Sequence, residues 1–310
     1  MKNYLNLEKS KTIPFLRDVC IDEIYKYAKK NKDIYFATPD MGAPSLDKYR
    51  KEIPKQFIHM GICEQHMIAM AAGLAMMKKK VFCYAMAPFI TSRCYEQIKC
   101  SVAAMDQPVT LIGIGVGLGY ADAGPTHYST EDIATMRVFP NVEILTPSDR
   151  FSTIEMVKLC LKRPKFRFLR IDRDVLPDIY NKNNFNLDKG WSEIIKGSKN
   201  CVVSSGYLLH KCLDQIKNKK KEIGLIDVFR INNQNRSLIT KLKKYNKIII
   251  IEEQWKSGGL GSYLLELSNN YKVNLNLEIK SLNKKYFFEN GGRDHLHKHN
   301  GLDIQKIISN

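Results

Sequence analysis

Short apolar runs alternate along the chain with longer stretches whose apolar positions recur at helical spacing. That rhythm belongs to an α/β fold with mainly parallel sheets. In the first part, the runs at 34–38, 57–60, 81–85, 109–113, 142–145 and 167–171 predict strands. The stretches at 12–30, 64–77, 93–105, 130–137 and 148–162 predict helices. A polar, asparagine-rich segment at 177–189, opening on Pro177, breaks the rhythm and predicts a linker. A second set follows, with strands predicted at 201–204, 223–227, 247–252 and 275–279 and helices between them. The expectation is two doubly wound α/β domains, at 1–180 and 190–310, the second the smaller.

The bulk numbers agree with this organisation. A chain of 310 residues can hold two cores of ordinary size, and 44% hydrophobic with 26% charged residues suits a globular protein. No apolar run reaches the roughly 20 residues of a membrane-spanning helix. The opening MKNYLNLEKSK lacks the apolar core of a secretion signal, so a cytoplasmic location is expected. The eight cysteines form no C-x-x-C pair and mostly lie in apolar stretches, which predicts reduced thiols rather than disulfides or a zinc site. The formal charge of +17 raises the question of nucleic acid. The lysines, however, are scattered, with short runs at 78–80 and 219–221 expected at element ends, and no basic stripe interleaves with aromatics. No nucleic-acid or membrane partner is expected; a phosphorylated substrate or an acidic partner surface makes easier use of the charge. His295, His297 and His299 are expected on a solvated helix face, with no metal site.

The most informative stretch is FIHMGICEQHMIAMAAGLA, at 57–75. A strand delivers the chain to Gly61, and Glu64 opens a helix rich in small residues. A carboxylate there is stabilised by the helix dipole, and capping alone would account for it. The wider text carries more. G-I-x-E-Q followed by A-A-G-L-A is joined in order by FITSRCYEQI (89–98), GPTHYSTEDIATMRVFPN (124–141), LTPSD (145–149) and FLRIDR (168–173), then by IIIIEEQWKSGGLGS (248–262) and FFENGG (287–292). This series, spread over essentially the whole chain, resembles the transketolase family: a pyrimidine-binding domain followed by a transketolase C-terminal domain.

The resemblance implies a thiamine-diphosphate enzyme that moves a two-carbon unit from a ketose to an aldose. It places Glu64 against the aminopyrimidine ring, where a hydrogen bond to the ring nitrogen favours the tautomer that ionises the thiazolium carbon. It places Phe89 on the face of the pyrimidine, with Tyr84 as a flanking aromatic, although core packing would equally explain both. Arg93 and Gln97, four apart on one predicted helix face, suit either a structural pair or a role beside the cofactor. His127 matches a histidine that reaches the substrate near the reacting carbons, where imidazole can move protons near neutral pH. Arg173 and its neighbour Arg170 match the region that holds a substrate phosphate; a guanidinium fork suits that group, and surface ion pairing would suit it too.

A complete enzyme of this class carries a Gly-Asp-Gly motif to hold the diphosphate through a divalent metal, and this sequence contains none. The glycines at 115, 117 and 119 do not fit G-x-G-x-x-G. The resemblance therefore implies a partner chain that binds the diphosphate and a magnesium or calcium ion, in an α2β2 assembly. Two departures bear on the substrate. Ala123 stands where the family pattern has an aspartate that meets a donor hydroxyl, and Gly115 stands where many members carry a histidine. A donor with fewer hydroxyls, or a sugar placed differently, is the expectation. The alternatives are a β-type subunit of a 2-oxo acid dehydrogenase, a 1-deoxyxylulose 5-phosphate synthase-like enzyme, and a non-catalytic assembly or regulatory partner with this fold.

Overall fold

The computed structural model describes residues 14–217, 222–231 and 235–309. The start of the predicted helix at 12–30 and the lysine run at 219–221 lie outside the described residues. The first sheet is built from β1 (Ile34–Thr38), β2 (Phe57–His59), β3 (Lys80–Met86), β4 (Val109–Ile114), β5 (Glu143–Leu145) and β6 (Arg167–Ile171). The second contains β7 (Trp191–Ile195), β8 (Asn200–Ser204), β9 (Ile223–Val228), β11 (Lys247–Ile251) and β12 (Leu277–Lys280). One short strand, β10 (Arg230–Ile231), follows β9 yet joins the first sheet.

The strand orders are β10-β5-β6-β4-β3-β1-β2 and β12-β11-β8-β9-β7. All pairings are parallel except β10 with β5 and β7 with β9. Central strands β4 and β6 are buried at every position, as parallel strands covered on both faces must be. Helices α1 (Leu16–Ala28) and α5 (Arg150–Lys162) pack on one face of the first sheet with Phe36, Phe82 and Tyr84. Helix α3 (Glu64–Met76) packs on the other face with Ala37, Cys83 and Ala85. Helices α2 (Asp47–Glu52) and α4 (Asp132–Arg137) are short connections. The second sheet carries α6 (Gly206–Ile216), α7 (Arg236–Leu242), α8 (Leu260–Asn270), α9 (Arg293–His299) and α10 (Ile304–Ser309).

Several local expectations need correction. The stretch at 93–105 is not one regular helix: it runs through a 3-10 turn (Ser92–Cys94), an α turn (Tyr95–Gln97) and a π segment (Ile98–Ala103). This broken register separates Arg93 from Gln97, whose side-chain oxygen is buried without a hydrogen bond. The asparagine-rich connection is packed down, with the backbone N–H groups of Ile179 and Tyr180 donating to Asp149 at 2.9 and 2.7 Å. His297 does not join a solvated face. Two positions along a helix reverse the side-chain direction, so His295 and His299 stack outside at 4.0 Å while His297 is buried against Glu253. All eight cysteines are free thiols. No helix among the described residues is long and apolar enough to cross a membrane.

The two domains meet across a buried charged cluster. Arg293 donates to Glu253 at 2.5 and 2.7 Å, to Asp172 at 2.8 and 2.9 Å and to Asp174 at 2.8 Å. His297 closes on Glu253 at 2.5 Å. Although burial opposes it, the Arg293 and His297 charges hold the Glu253 carboxyl well below the ordinary range.

Candidate active site

Parallel strands place their carboxyl ends at one edge of a sheet, and ligand sites of α/β folds gather there. Four connections at that edge supply the site. Glu64 begins α3 after β2, Phe89 lies in the helical turn Ala87–Ile90 after β3, Tyr120 and His127 lie in the long connection after β4, and Arg173 follows β6.

Glu64 is buried at 4% exposure in the first turn of α3, where unpaired backbone N–H groups and the helix dipole favour a carboxylate. Arg93 donates from Nη1 to Glu64 Oε1 at 2.9 Å, and Oε2 makes no hydrogen bond among the described residues. The same guanidinium lies 3.9 Å from the centre of the Phe89 ring. Phe89 is fixed from below by the Cys94 thiol, which approaches its carbonyl at 3.2 Å. Burial and the Glu64 charge push that thiol up to about 12, so it stays protonated and inert.

His127 meets the Phe89 ring edge-on, with centroids 5.1 Å apart, and the Thr126 hydroxyl sits 2.9 Å from its Nδ1. Nε2 has no hydrogen-bond partner among the described residues. Tyr120 also neighbours it, at 6.1 Å between centroids. The Arg173 guanidinium stacks over Tyr120 at 4.5 Å and pairs with Asp122 at 2.8 Å. Burial raises the Tyr120 hydroxyl above its usual pKa, against the pull of Arg173 and Arg17.

The structure thus brings Glu64, Phe89, Arg93, His127 and Arg173 to one edge. It does not bring Tyr84 or Arg170 with them. Side chains along a strand alternate between faces; Cys83 and Ala85 face α3, so Tyr84 points to the opposite layer, where it packs on Phe36 at 0% exposure. Arg170 lies within β6 rather than beyond its end. Its guanidinium forks onto Asp132 at 2.8 and 3.1 Å and reaches Thr146 at 3.0 Å, at 3% exposure. Its donors hold the α4 connection to the sheet instead of facing solvent.

Tyr120 is the site residue that motif order does not point to. Gly115 has φ +77°, and a Cβ there would lie 2.1 Å from the Tyr120 ring. The turn closed by Gly119 N–H to the Val116 carbonyl at 3.1 Å folds the phenol back over Gly115. The only signal in the sequence is the spacing of Tyr120 from the glycines, which becomes meaningful once the turn is known.

Comparison with known proteins agrees with this geometry. Residues 15–178 match the family described as transketolase, pyrimidine binding domain, and residues 191–307 match transketolase, C-terminal domain. An apulose-4-phosphate transketolase subunit from Phocaeicola vulgatus is 32% identical over 256 residues, covering 80% of this chain and 82% of that one. The subunit of the same name from Actinobacillus succinogenes is 26% identical over 299 residues, covering 94% and 96%. A 1-deoxy-D-xylulose-5-phosphate synthase from Malacoplasma penetrans is 30% identical over 264 residues, 84% of this chain but 42% of that enzyme. The solved structure of a split gene transketolase, described as an inactive beta4 tetramer, shares the fold with a TM-score of 0.84 at 22% identity, covering 95% of this chain and 96% of that one. The chain belongs to the transketolase family, as a transferase subunit made of the pyrimidine-binding and C-terminal domains.

Proposed function

We propose that this chain is the cofactor-activating subunit of a split transketolase, completed by a second polypeptide that binds the diphosphate of thiamine diphosphate. The observation that carries the reading is the convergence of Glu64, Phe89 and His127 from three separate connections, with Glu64 buried and one of its oxygens still unbonded. A buried carboxyl beside an aromatic face suits an aminopyrimidine, so the residues present fit the cofactor on which this family depends.

When bound, thiamine diphosphate supplies a nucleophilic carbon and an electron sink, and the protein supplies orientation and electrostatics. Glu64 would hold a proton shared with the pyrimidine nitrogen. Phe89 would fix the plane of the ring and exclude water from that side. His127, with Nδ1 engaged by Thr126, would present Nε2 to a substrate oxygen and move a proton there. Arg173, whose guanidinium stacks on Tyr120, would grip a sugar phosphate.

Relatives of similar length that are named as transketolase subunits support a separate diphosphate chain. We infer that this second chain also holds the magnesium or calcium ion, in an α2β2 assembly. Two relatives are named for apulose 4-phosphate, which favours a donor outside the common ketose phosphates. The decisive experiment is turnover by the purified two-chain complex, with apulose 4-phosphate and xylulose 5-phosphate as donors. Glu64→Ala should lower kcat about 100-fold or more. Undiminished turnover would refute the assignment. Consumption of pyruvate with glyceraldehyde 3-phosphate instead would favour the synthase reading, which the 30% identity to the Malacoplasma enzyme keeps in view.

A further inference from the structure

The same edge carries a contact that competes with the cofactor it is proposed to receive. Arg93 occupies two recognition surfaces at once. Its guanidinium lies 3.9 Å above the Phe89 ring, and its Nη1 donates to Glu64 at 2.9 Å. An aminopyrimidine needs the same aromatic face and the same carboxyl, of which Arg93 takes Oε1 and leaves Oε2 unbonded among the described residues. A guanidinium is also a flat, electron-poor group with N–H donors on its edge, so it satisfies both in the way the pyrimidine would. We infer that Arg93 is a built-in occupant of the pyrimidine subsite, holding it closed in the free chain and swinging out when cofactor binds.

The local backbone suits such a movement. Arg93 sits in the 3-10 turn Ser92–Cys94, between a four-residue helical turn and an α turn, so its stem is not locked into a long helix. Its side chain is 41% exposed, whereas that of Glu64 is 5% exposed, so the arginine is the partner with room to leave. Gln65 holds the backbone in place by donating to the Arg93 carbonyl at 3.1 Å, so the side chain can move without the turn. The occupant also keeps water and other cations from the buried carboxyl before the partner chain arrives. This inference rests on the cofactor reading of Glu64 and Phe89.

The ion pair joins a part-exposed arginine to a buried carboxyl and the cation–π contact is modest, so displacing Arg93 should weaken cofactor binding by about three- to ten-fold relative to an open subsite. Calorimetry of thiamine diphosphate, with magnesium, on the two-chain complex reads this directly. Arg93→Gln should bind about three- to ten-fold more tightly than the unaltered complex, and Arg93→Lys, which keeps the charge but loses the flat plate, should fall between. Equal or weaker binding by Arg93→Gln would overturn the inference and make Arg93 a supporting ligand. A second measurement needs no variant: phenylglyoxal modification of Arg93, read by peptide mass, should increase on saturation with cofactor. Protection instead would also overturn it. Glu64→Gln run alongside separates the two readings. If it binds the cofactor as well as the unaltered complex does, the cofactor assignment itself fails, whatever Arg93 does.

Discussion

Asp227 offers a sharp test of how the second domain is held. It is the penultimate residue of β9, is 0% exposed, and accepts a hydrogen bond from the Tyr180 hydroxyl at 2.7 Å, bringing β9 against the connection between the domains. Burial pushes its carboxyl from 3.8 up to about 7, and the hydrogen bond from Tyr180, with the polar Ser148 hydroxyl nearby, opposes this only in part. Between about pH 4 and pH 7 the folded chain therefore carries a proton that the unfolded chain has released. Unfolding releases that proton, so stability falls as pH rises through the window and levels off above it. A shift of about 3 units at about 1.4 kcal/mol each gives up to about 4 kcal/mol across the window.

Asp227→Asn removes the titration and keeps the shape. Urea unfolding of both proteins at pH 5, 6, 7 and 8 measures the effect, with fluorescence from Trp191, which pairs with Val228 on the neighbouring strand, as reporter. The unaltered protein should lose up to about 3 kcal/mol more than the variant between pH 5 and 8, the part of the window those measurements cross. Glu252, also pushed by burial up to about 7, adds the same slope to both proteins and cancels in the difference. Parallel stability curves across that range would refute the argument that a buried, neutral carboxyl sits at this junction.

Other substitutions separate structural from functional charges. Arg170→Met strands Asp132 in the core and should cost about 3–5 kcal/mol in unfolding free energy, whereas Arg173→Met should change stability by less than about 1 kcal/mol and raise KM for a phosphorylated donor about ten-fold or more. Melting and steady-state kinetics on both variants check the contrast. Arg293→Met leaves Glu253, Asp172 and Asp174 facing one another and should cost about 3–5 kcal/mol at pH 8, with part regained at pH 5 as the carboxyls take protons; denaturant titration at the two pH values reads it. Gly115→Ala drives a methyl into the Tyr120 ring and should cost about 1–3 kcal/mol. Pairing it with Tyr120→Ala should recover the steric part in a double-mutant cycle.

The strands that build the first sheet are legible in the sequence because parallel strands buried on both faces read as plain apolar runs. The strand β7, WSEII, pairs antiparallel at an edge with only one side well covered, and its polar residues hide it. Strand β10 has two residues and is recruited by the other domain's sheet, so no periodicity can announce it. Glu64, Phe89 and His127 emerge from motif order. Tyr84 and Arg170 lie inside strands rather than beyond their ends: alternation turns Tyr84 to the layer opposite α3, and Arg170 is taken up by Asp132 and Thr146. Arg173, beyond the strand end, escapes that constraint. Arg93 reads as a partner of Gln97 on an α face, and only the 3-10 and π turns reveal that it reaches back to Glu64.

Gly115 and Tyr120 show where position-by-position reading breaks down. Taken singly, a glycine in place of a histidine looks like a lost polar contact, and with Ala123 it suggests a pocket stripped of hydrogen-bonding groups. In space the loss at one position is filled from another, because the glycine's φ of +77° and its missing side chain are what admit the Tyr120 ring. The phenol ring then contacts both His127 and the Arg173 guanidinium, so an aromatic ring lies beside both residues proposed to meet the substrate. A donor reaching His127 under the proposed reading would pass an aromatic wall rather than an imidazole. The discrimination expected of that wall is by shape, since a ring held under a guanidinium cannot easily rotate away to admit a bulkier sugar.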